Sequence, residues 1–213
     1  MIYQFGMFAL TFFNYACLHS TRSVWSAATK DLISLYDFSV SDIAKMNSIF
    51  LFAYSAGGVA FGQLADRYKL KYLIPVLYTL IALSISSLGV LHYVLKTPES
   101  QRDHIWLYDF LKFINGLLQS PGWALNLVVL ANWFPSTGRG LLLGVWACNT
   151  TIGDMIGTYI YQKFSKNAEN DWSLSFFIVG GFVILVGILN LLFLIQSPSE
   201  IGMRVDNRDE NEE

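Results

Sequence analysis

The sequence predicts an all-α membrane protein, a bundle of six transmembrane helices. Only 14% of its 213 residues are charged and 54% are hydrophobic, whereas a soluble domain carries about 25% charged residues. Six segments reach the roughly 20 mostly apolar residues that a spanning helix needs. The 16 Phe, 11 Tyr and 6 Trp suit a protein with aromatic rings at two membrane interfaces.

The six segments alternate with short polar gaps. The predicted spans are about 3–28, 42–64, 70–94, 104–133, 138–161 and 172–196. Polar stretches separate them, namely KDLISLYDFSVSD, DRYKLK, KTPESQRDH, PSTGRG and QKFSKNAENDW. Residues 1–198 therefore form the bundle, and residues 199–213 form an acidic tail that should be disordered.

Two spans carry features that shape a membrane helix. Pro121 and Gly122 lie near the middle of the fourth span, and proline bends a helix by freeing a carbonyl. In the fifth span Gly153 and Gly157 have the spacing that permits close contact with a neighbouring helix. We expect a bend in the fourth span and tight packing along the fifth.

Composition and motifs exclude several functions. The formal net charge is -2 and no basic stripe is present, so no nucleic-acid partner is expected. The two cysteines, Cys17 and Cys148, lie in apolar segments without metal-ligand spacing. A phosphate-binding glycine loop and a Ser/His/Asp set are both absent from the loops, so we predict that the protein is not an enzyme and uses no cofactor.

Basic residues do not decide the orientation. Six Lys or Arg residues fall on each side of the predicted membrane, so the excess that marks the cytoplasmic face is missing. The orientation of the chain in the membrane is therefore inferred from sequence motifs.

The loop after the second span supplies one motif. The stretch GQLADRYKLKYLI, residues 62–74, resembles the loop signature of the major facilitator superfamily through Gly62, Asp66, Arg67 and Lys71. Such a loop can clamp helix ends by charge pairs that break and re-form as two halves rock. In that superfamily the loop is cytoplasmic, and the resemblance implies that both termini are cytoplasmic too.

A narrower resemblance lies between residues 115 and 157. This stretch is similar to the organophosphate:phosphate antiporters, which exchange glycerol phosphate or sugar phosphates for phosphate. The matching positions are Asn115, Gly116, Gln119, Gly122, Trp123, Asn132, Trp133, Phe134, Arg139, Gly140 and Trp146. The resemblance covers the first six helices of a twelve-helix transporter, the N-terminal half of a major facilitator fold. Its closer branch, the animal sugar-phosphate exchangers, implies the endoplasmic reticulum or another internal membrane rather than the plasma membrane.

One charge interrupts the first span. Arg22 follows an uncharged run, and the family carries a phosphate-binding Arg at the corresponding place of its first helix. Helical spacing puts Thr11, Tyr15, His19, Arg22 and Ser26 on one polar stripe. A stripe that faces a wet cavity would offer the guanidinium to a phosphate dianion. The alternative is an arginine that snorkels to the interface.

Some family positions carry other residues here. Where the family has a lysine directly after the Arg, this sequence has Ser23. Where the family has a histidine in the fifth helix, it has Thr150, with Asn149 beside it. Asn149 and Thr150 can still hydrogen-bond a phosphate, although neither brings charge.

Three further charges lie within spans. Lys112 is either a local ion-pair partner of Asp109 or a replacement for the missing lysine. Asp154, one turn beyond Thr150, pairs with Arg22 or Lys112 or serves as a protonatable site.

Two functions follow. The first is a transporter, or its N-terminal half, that exchanges a phosphate ester for inorganic phosphate by alternating access. Its predicted substrate-binding residues are Arg22, His19, Tyr15, Tyr54, Asn149, Thr150 and Lys112. The second is a transport-inactive structural subunit of a larger membrane complex. The predicted partners are membrane lipid, a small phosphorylated solute, and a second six-helix half in cis, in trans or as a homodimer, or other membrane subunits.

Overall fold

A computed structural model describes residues 1–165 and 172–203, and these residues form a helical bundle. Its helices are α1 (Ile2–Tyr36), α2 (Val40–Phe61), α3 (Leu64–Arg67), α4 (Leu70–Val94), α5 (Pro98–Asp103), α6 (Ile105–Gln119), α7 (Gly122–Trp133), α8 (Arg139–Ala147), α9 (Asn149–Phe164) and α10 (Ser173–Phe193), followed by a 3-10 turn at Pro198–Ile201. The all-α architecture confirms the predicted fold class. Residues 204–213 of the predicted acidic tail lie outside the described residues.

Four stretches of the described chain are long and apolar enough to cross a membrane. They are Val40–Arg67, Leu70–Val94, Ile105–Trp133 and Ser173–Phe193. The predicted fifth span is divided at Cys148 between α8, with 9 residues, and α9, with 16 residues. Helix α1 is not one of the four stretches, because its polar stripe lowers its mean hydropathy. Membrane crossing by the first and fifth spans stays a prediction.

Helix α1 continues eight residues beyond the predicted end at about residue 28. We expected a loop from Lys30 onward, but α1 has 35 residues and ends at Tyr36. Ala28, Leu32 and Tyr36 recur every four residues on one buried face, and their packing holds the chain helical past the charged residues. At 1.5 Å per residue α1 is about 52 Å long, so its end projects well beyond a hydrocarbon core of about 30 Å.

The predicted bend in the fourth span is a full interruption. Helix α6 ends at Gln119 and α7 begins at Gly122, with Ser120 and Pro121 between them. Proline has no N–H to donate, which favours a helix start at this point. A second interruption, at Cys148, separates α8 from α9.

Helix α1 lies at the centre of the bundle, where it packs against α9, α10 and α7. Helix α4 packs against α10, and α2 packs against α6. Gly153 and Gly157 of α9 face the backbone of α1 at Ala16 and Ser20, with no room for a side chain. The glycine spacing therefore produces the tight contact that it predicts.

Two apolar clusters fill opposite ends of the bundle. One contains Trp133 and Trp146, and the other contains Trp25 and Trp172. Polar side chains occupy the layer between these clusters, where a bilayer offers no water.

An asparagine cluster connects four helices inside the apolar cluster that contains Trp133 and Trp146. Nδ2 of Asn14 donates to Oδ1 of Asn126 and to Oδ1 of Asn190, each at 2.9 Å. The hydroxyl of Tyr78 donates to the carbonyl of Asn14 at 2.9 Å. All three asparagines are buried, so α1, α7 and α10 are hydrogen-bonded through side chains, with α4 attached by Tyr78.

We predict that Gly157→Ala destabilises the protein by about 1–3 kcal/mol, because the added methyl group overpacks the α1–α9 contact. Gly144→Ala is the matched control, since a methyl group there meets open space. Helix propensity alone favours alanine by roughly 1 kcal/mol, so the control should melt at the same or a higher temperature. Thermal unfolding in detergent measures both variants, and equal melting shifts would contradict the close contact.

We also predict that Asn14→Ala lowers the free energy of unfolding by about 1–3 kcal/mol, because buried amides of Asn126 and Asn190 lose a partner. Phe13→Ala is the control on the neighbouring, half-exposed position of α1. The comparison is again made by thermal unfolding in detergent. A loss for Asn14→Ala no larger than that for Phe13→Ala would refute the role of the cluster.

Candidate anion-binding site

Arg22 is half-buried between α1, α2 and α6. Its Nε donates to Oε1 of Gln119 at 2.9 Å. The guanidinium carbon lies 4.7 Å from the ring centroid of Tyr54 and 5.4 Å from that of Phe50. Among the described residues, its buried Nη2 has no hydrogen-bond partner. Arg22 therefore lies inside the bundle with donor capacity to spare, which argues against snorkelling.

A chain of amides fixes the orientation of Arg22. Nε2 of Gln119 donates to Oγ1 of Thr21 at 2.9 Å and to Oδ1 of Asn115 at 2.7 Å. Nδ2 of Asn115 donates to Oγ of Ser84 at 2.6 Å. Gln119 is fully buried, and its carbonyl oxygen is left to accept from Arg22. Asn115 and Gln119 are among the positions that carry the family resemblance, but the sequence did not assign them to the site.

Aromatic rings line one side of the site. The hydroxyls of Tyr15 and Tyr54 lie 3.4 Å apart. Tyr15 packs edge-on against Trp123, with 5.0 Å between ring centroids, and its ring centroid lies 5.1 Å from that of His19. The structure thus brings Tyr15, His19 and Tyr54 of the predicted set into the neighbourhood of Arg22.

Asp154 has a different partner from the ones that the sequence suggested. Its Oδ1 lies 3.4 Å from Nδ1 of His19, rather than against Arg22 or Lys112. The reason is the α1–α9 packing, which sets Gly153 against His19 and so places the next residue of α9 beside the imidazole.

The side chains of Asn149 and Thr150 donate hydrogen bonds to carbonyls at the break between α8 and α9. Nδ2 of Asn149 donates to the carbonyl of Trp146 at 2.6 Å, and Oγ1 of Thr150 donates to the carbonyl of Ala147 at 3.0 Å. In the described part of the chain neither side chain is hydrogen-bonded to Arg22. Their predicted role in binding is therefore not supported by this arrangement, although it remains a prediction.

Lys112 does not pair with Asp109, which corrects the local ion pair expected from their spacing. Oδ2 of Asp109 lies 2.6 Å from Nζ of Lys45 on α2. Lys112 is only 5% exposed. Its Nζ lies over two aromatic rings, 4.4 Å from the centroid of Trp25 and 4.7 Å from that of Phe50.

The motif in the loop after α2 is exposed. α2 ends at Phe61, and Asp66 and Arg67 belong to the short helix α3, which packs against α7. Across the described ranges, Asp66, Arg67 and Lys71 form no ion pair. The charge clamp implied by the resemblance is not formed among the described residues, and the role of Gly62 in it is untested.

Arg139 connects the start of α8 to the end of α7. Its Nη2 donates to the carbonyl of Phe134 at 2.8 Å and to that of Ala131 at 3.3 Å. The arginine of the sequence motif thus satisfies carbonyls at a helix end, which a helix cannot satisfy by itself.

Comparison with known proteins identifies the superfamily to which this fold belongs. The profile of the Major Facilitator Superfamily matches residues 5–211, and the chain belongs to this superfamily. Human Sugar phosphate exchanger 3 is 28% identical over 96% of this chain and 45% of its own length. Glucose-6-phosphate exchanger SLC37A2 of Danio rerio is 28% identical over 79% of this chain and 32% of its own length. These matches confirm the predicted resemblance to exchangers of phosphate esters.

A solved structure supports the fold. A bacterial homolog to the human lysosomal transporter Spinster, crystallised in an inward-facing and unoccupied conformation, has a TM-score of 0.65 at 17% identity. The match covers 92% of this chain and 44% of the other chain. The chain therefore spans less than half the length of the relatives and of the transporter that it matches.

The site is cationic. Arg22 and Lys112 are held by amides and aromatic rings, and neither forms an ion pair within the described residues. An arginine presents a planar fork of donors that fits the oxygens of a phosphate. The arrangement can bind a small oxyanion.

We predict that Gln119→Glu abolishes anion binding. The carboxylate cannot donate to Thr21 and Asn115 as Nε2 of Gln119 does, so the variant is first shown to melt cooperatively. The new carboxylate would accept from Arg22 and neutralise it, in competition with a bound anion. The measurement is the rise in melting temperature that saturating phosphate produces, since a ligand stabilises the state that binds it. The wild type should show this rise and Gln119→Glu should not. An equal rise in both would show that phosphate does not bind beside Arg22.

Proposed function

We propose that this chain forms the substrate-binding part of a transporter that exchanges a phosphate ester, such as a sugar phosphate or glycerol phosphate, for inorganic phosphate by alternating access. The observation that carries the proposal is the buried Nη2 of Arg22, which has no hydrogen-bond partner in the described part of the chain. A buried donor without a partner costs about 1–3 kcal/mol, and more if charged. A bound phosphate oxygen would remove that cost.

The surroundings of Arg22 suit reversible binding of phosphate. Gln119 holds one edge of the guanidinium through Nε, which leaves the opposite edge for a ligand. The hydroxyls of Tyr15 and Tyr54 share one hydrogen bond, so one of the two O–H groups remains to donate to an anion. Asp154 is engaged with His19, and among the described residues no carboxylate is paired with Arg22 to compete with the substrate.

Alternating access requires a second body against which the bundle moves. The two exchangers named above are more than twice as long as the region that this chain matches. We propose that a second six-helix half, supplied in cis, in trans or by another copy, completes the cavity. We further propose that both termini are cytoplasmic and that the transporter resides in an internal membrane.

The test is uptake into proteoliposomes preloaded with phosphate, using labelled phosphate and labelled glucose-6-phosphate. We expect Arg22→Ala to abolish exchange and Arg22→Lys to reduce it by about tenfold or more, because lysine lacks the planar fork. Each variant is first shown to melt cooperatively.

Arg102→Ala is the matched control, because Arg102 pairs with Asp37 in an exposed position away from the site. Its exchange rate should equal that of the wild type. Undiminished exchange by Arg22→Ala would overturn the proposal. Folded wild-type chain that exchanges nothing would instead leave two alternatives, a half that needs its second half and a structural subunit.

A further inference from the structure

We propose that Lys112 is the second cation of the anion site, and that with Arg22 it makes the site selective for doubly charged phosphate groups. This inference rests on the proposed function, since it specifies the charge of the substrate bound at the same site. It assigns a specificity role to a residue that lies on α6, away from the polar stripe of α1.

The first observation is a shared aromatic ring. Phe50 lies 5.4 Å from the guanidinium carbon of Arg22 and 4.7 Å from Nζ of Lys112, measured to its ring centroid. Two positive groups therefore flank one side chain of α2.

The second observation is the common face of α6. Lys112, Asn115 and Gln119 are spaced by three and four residues, which puts them on one side of the helix. All three are buried, and Gln119 contacts Arg22 directly. The face that positions Arg22 is thus the face that carries Lys112.

The third observation is the lack of an acidic partner. Asp109, one turn away, is committed to Lys45 at 2.6 Å. The contacts of Lys112 among the described residues are with the rings of Trp25 and Phe50. Aromatic rings attract a cation but leave its charge in place, and a buried charge normally has a partner of opposite sign.

A dianionic ligand would supply that missing charge. Arg22 would bind two phosphate oxygens through its rigid fork, and Lys112 would act as a mobile point charge on a flexible stem. One negative charge of the ligand would then be balanced by each cation. A singly charged ligand would leave one of the two cations unbalanced, so the site would discriminate by charge.

The experiment compares, at pH 7, methyl phosphate, most of which carries two charges, with dimethyl phosphate, which carries one. Dissociation constants for both are measured on the purified chain by competition against labelled phosphate. We expect the wild type to prefer methyl phosphate, and Lys112→Met to lower this preference by roughly 10- to 100-fold. Lys112→Arg should keep the preference, since it keeps the charge.

Lys96→Met is the matched control, because it removes an exposed lysine just beyond the end of α4 and leaves the pair of Lys45 and Asp109 intact. Its preference should equal that of the wild type. A second readout needs no ligand. Removing a buried charge without an ionic partner should leave the melting temperature unchanged or raise it, whereas a structural lysine would lower it.

The outcomes separate the two proposals. An unchanged preference in a folded Lys112→Met or Lys112→Gln variant, or a large loss of stability without phosphate, would overturn the role of Lys112 alone. Failure of the wild type to bind either ester would overturn the proposed function and this inference together.

Discussion

Polar side chains in a bundle surrounded by lipid must find their partners inside the protein, because hydrocarbon offers none. This constraint explains why α1, which carries the polar stripe and the asparagine cluster, lies at the centre of the bundle. Its glycine-lined contact with α9 and its packing against α7 and α10 shield those groups from lipid. The more apolar α10 and α4 pack against each other and include many lipid-facing residues.

The interior of the bundle contains two kinds of polar group. In the asparagine cluster around Asn14, side-chain amides find partners on neighbouring helices and hold the bundle together. Around Arg22, donor capacity is left over, and Lys112 lies over two aromatic rings without an ion pair among the described residues. Basic groups inside a membrane bundle normally have a partner, so this arrangement supports the proposed ligand site.

Helix breaks lie next to the site. The interruption at Ser120 and Pro121 directly follows Gln119, which holds Arg22. The interruption at Cys148 directly precedes Asn149, whose Oδ1 is buried without a partner in the described chain. Irregular backbone at membrane depth is tolerated where it is covered by protein or lines a cavity. The break at Ser120 and Pro121 is buried and satisfies this condition, whereas Cys148 is exposed.

The sequence by itself determined the class of fold, the presence of Arg22 inside a span, and the glycine contact of the fifth span. These follow from apolar segment length and helical period, which are properties of neighbouring residues. Only the tertiary structure decided that α1 extends to Tyr36, that Asp154 faces His19, and that Lys112 lies on Trp25 and Phe50. The hydrogen bond from Arg22 to Gln119 joins residues 97 positions apart. Such partners depend on which helices become neighbours, and local sequence pattern does not contain that information.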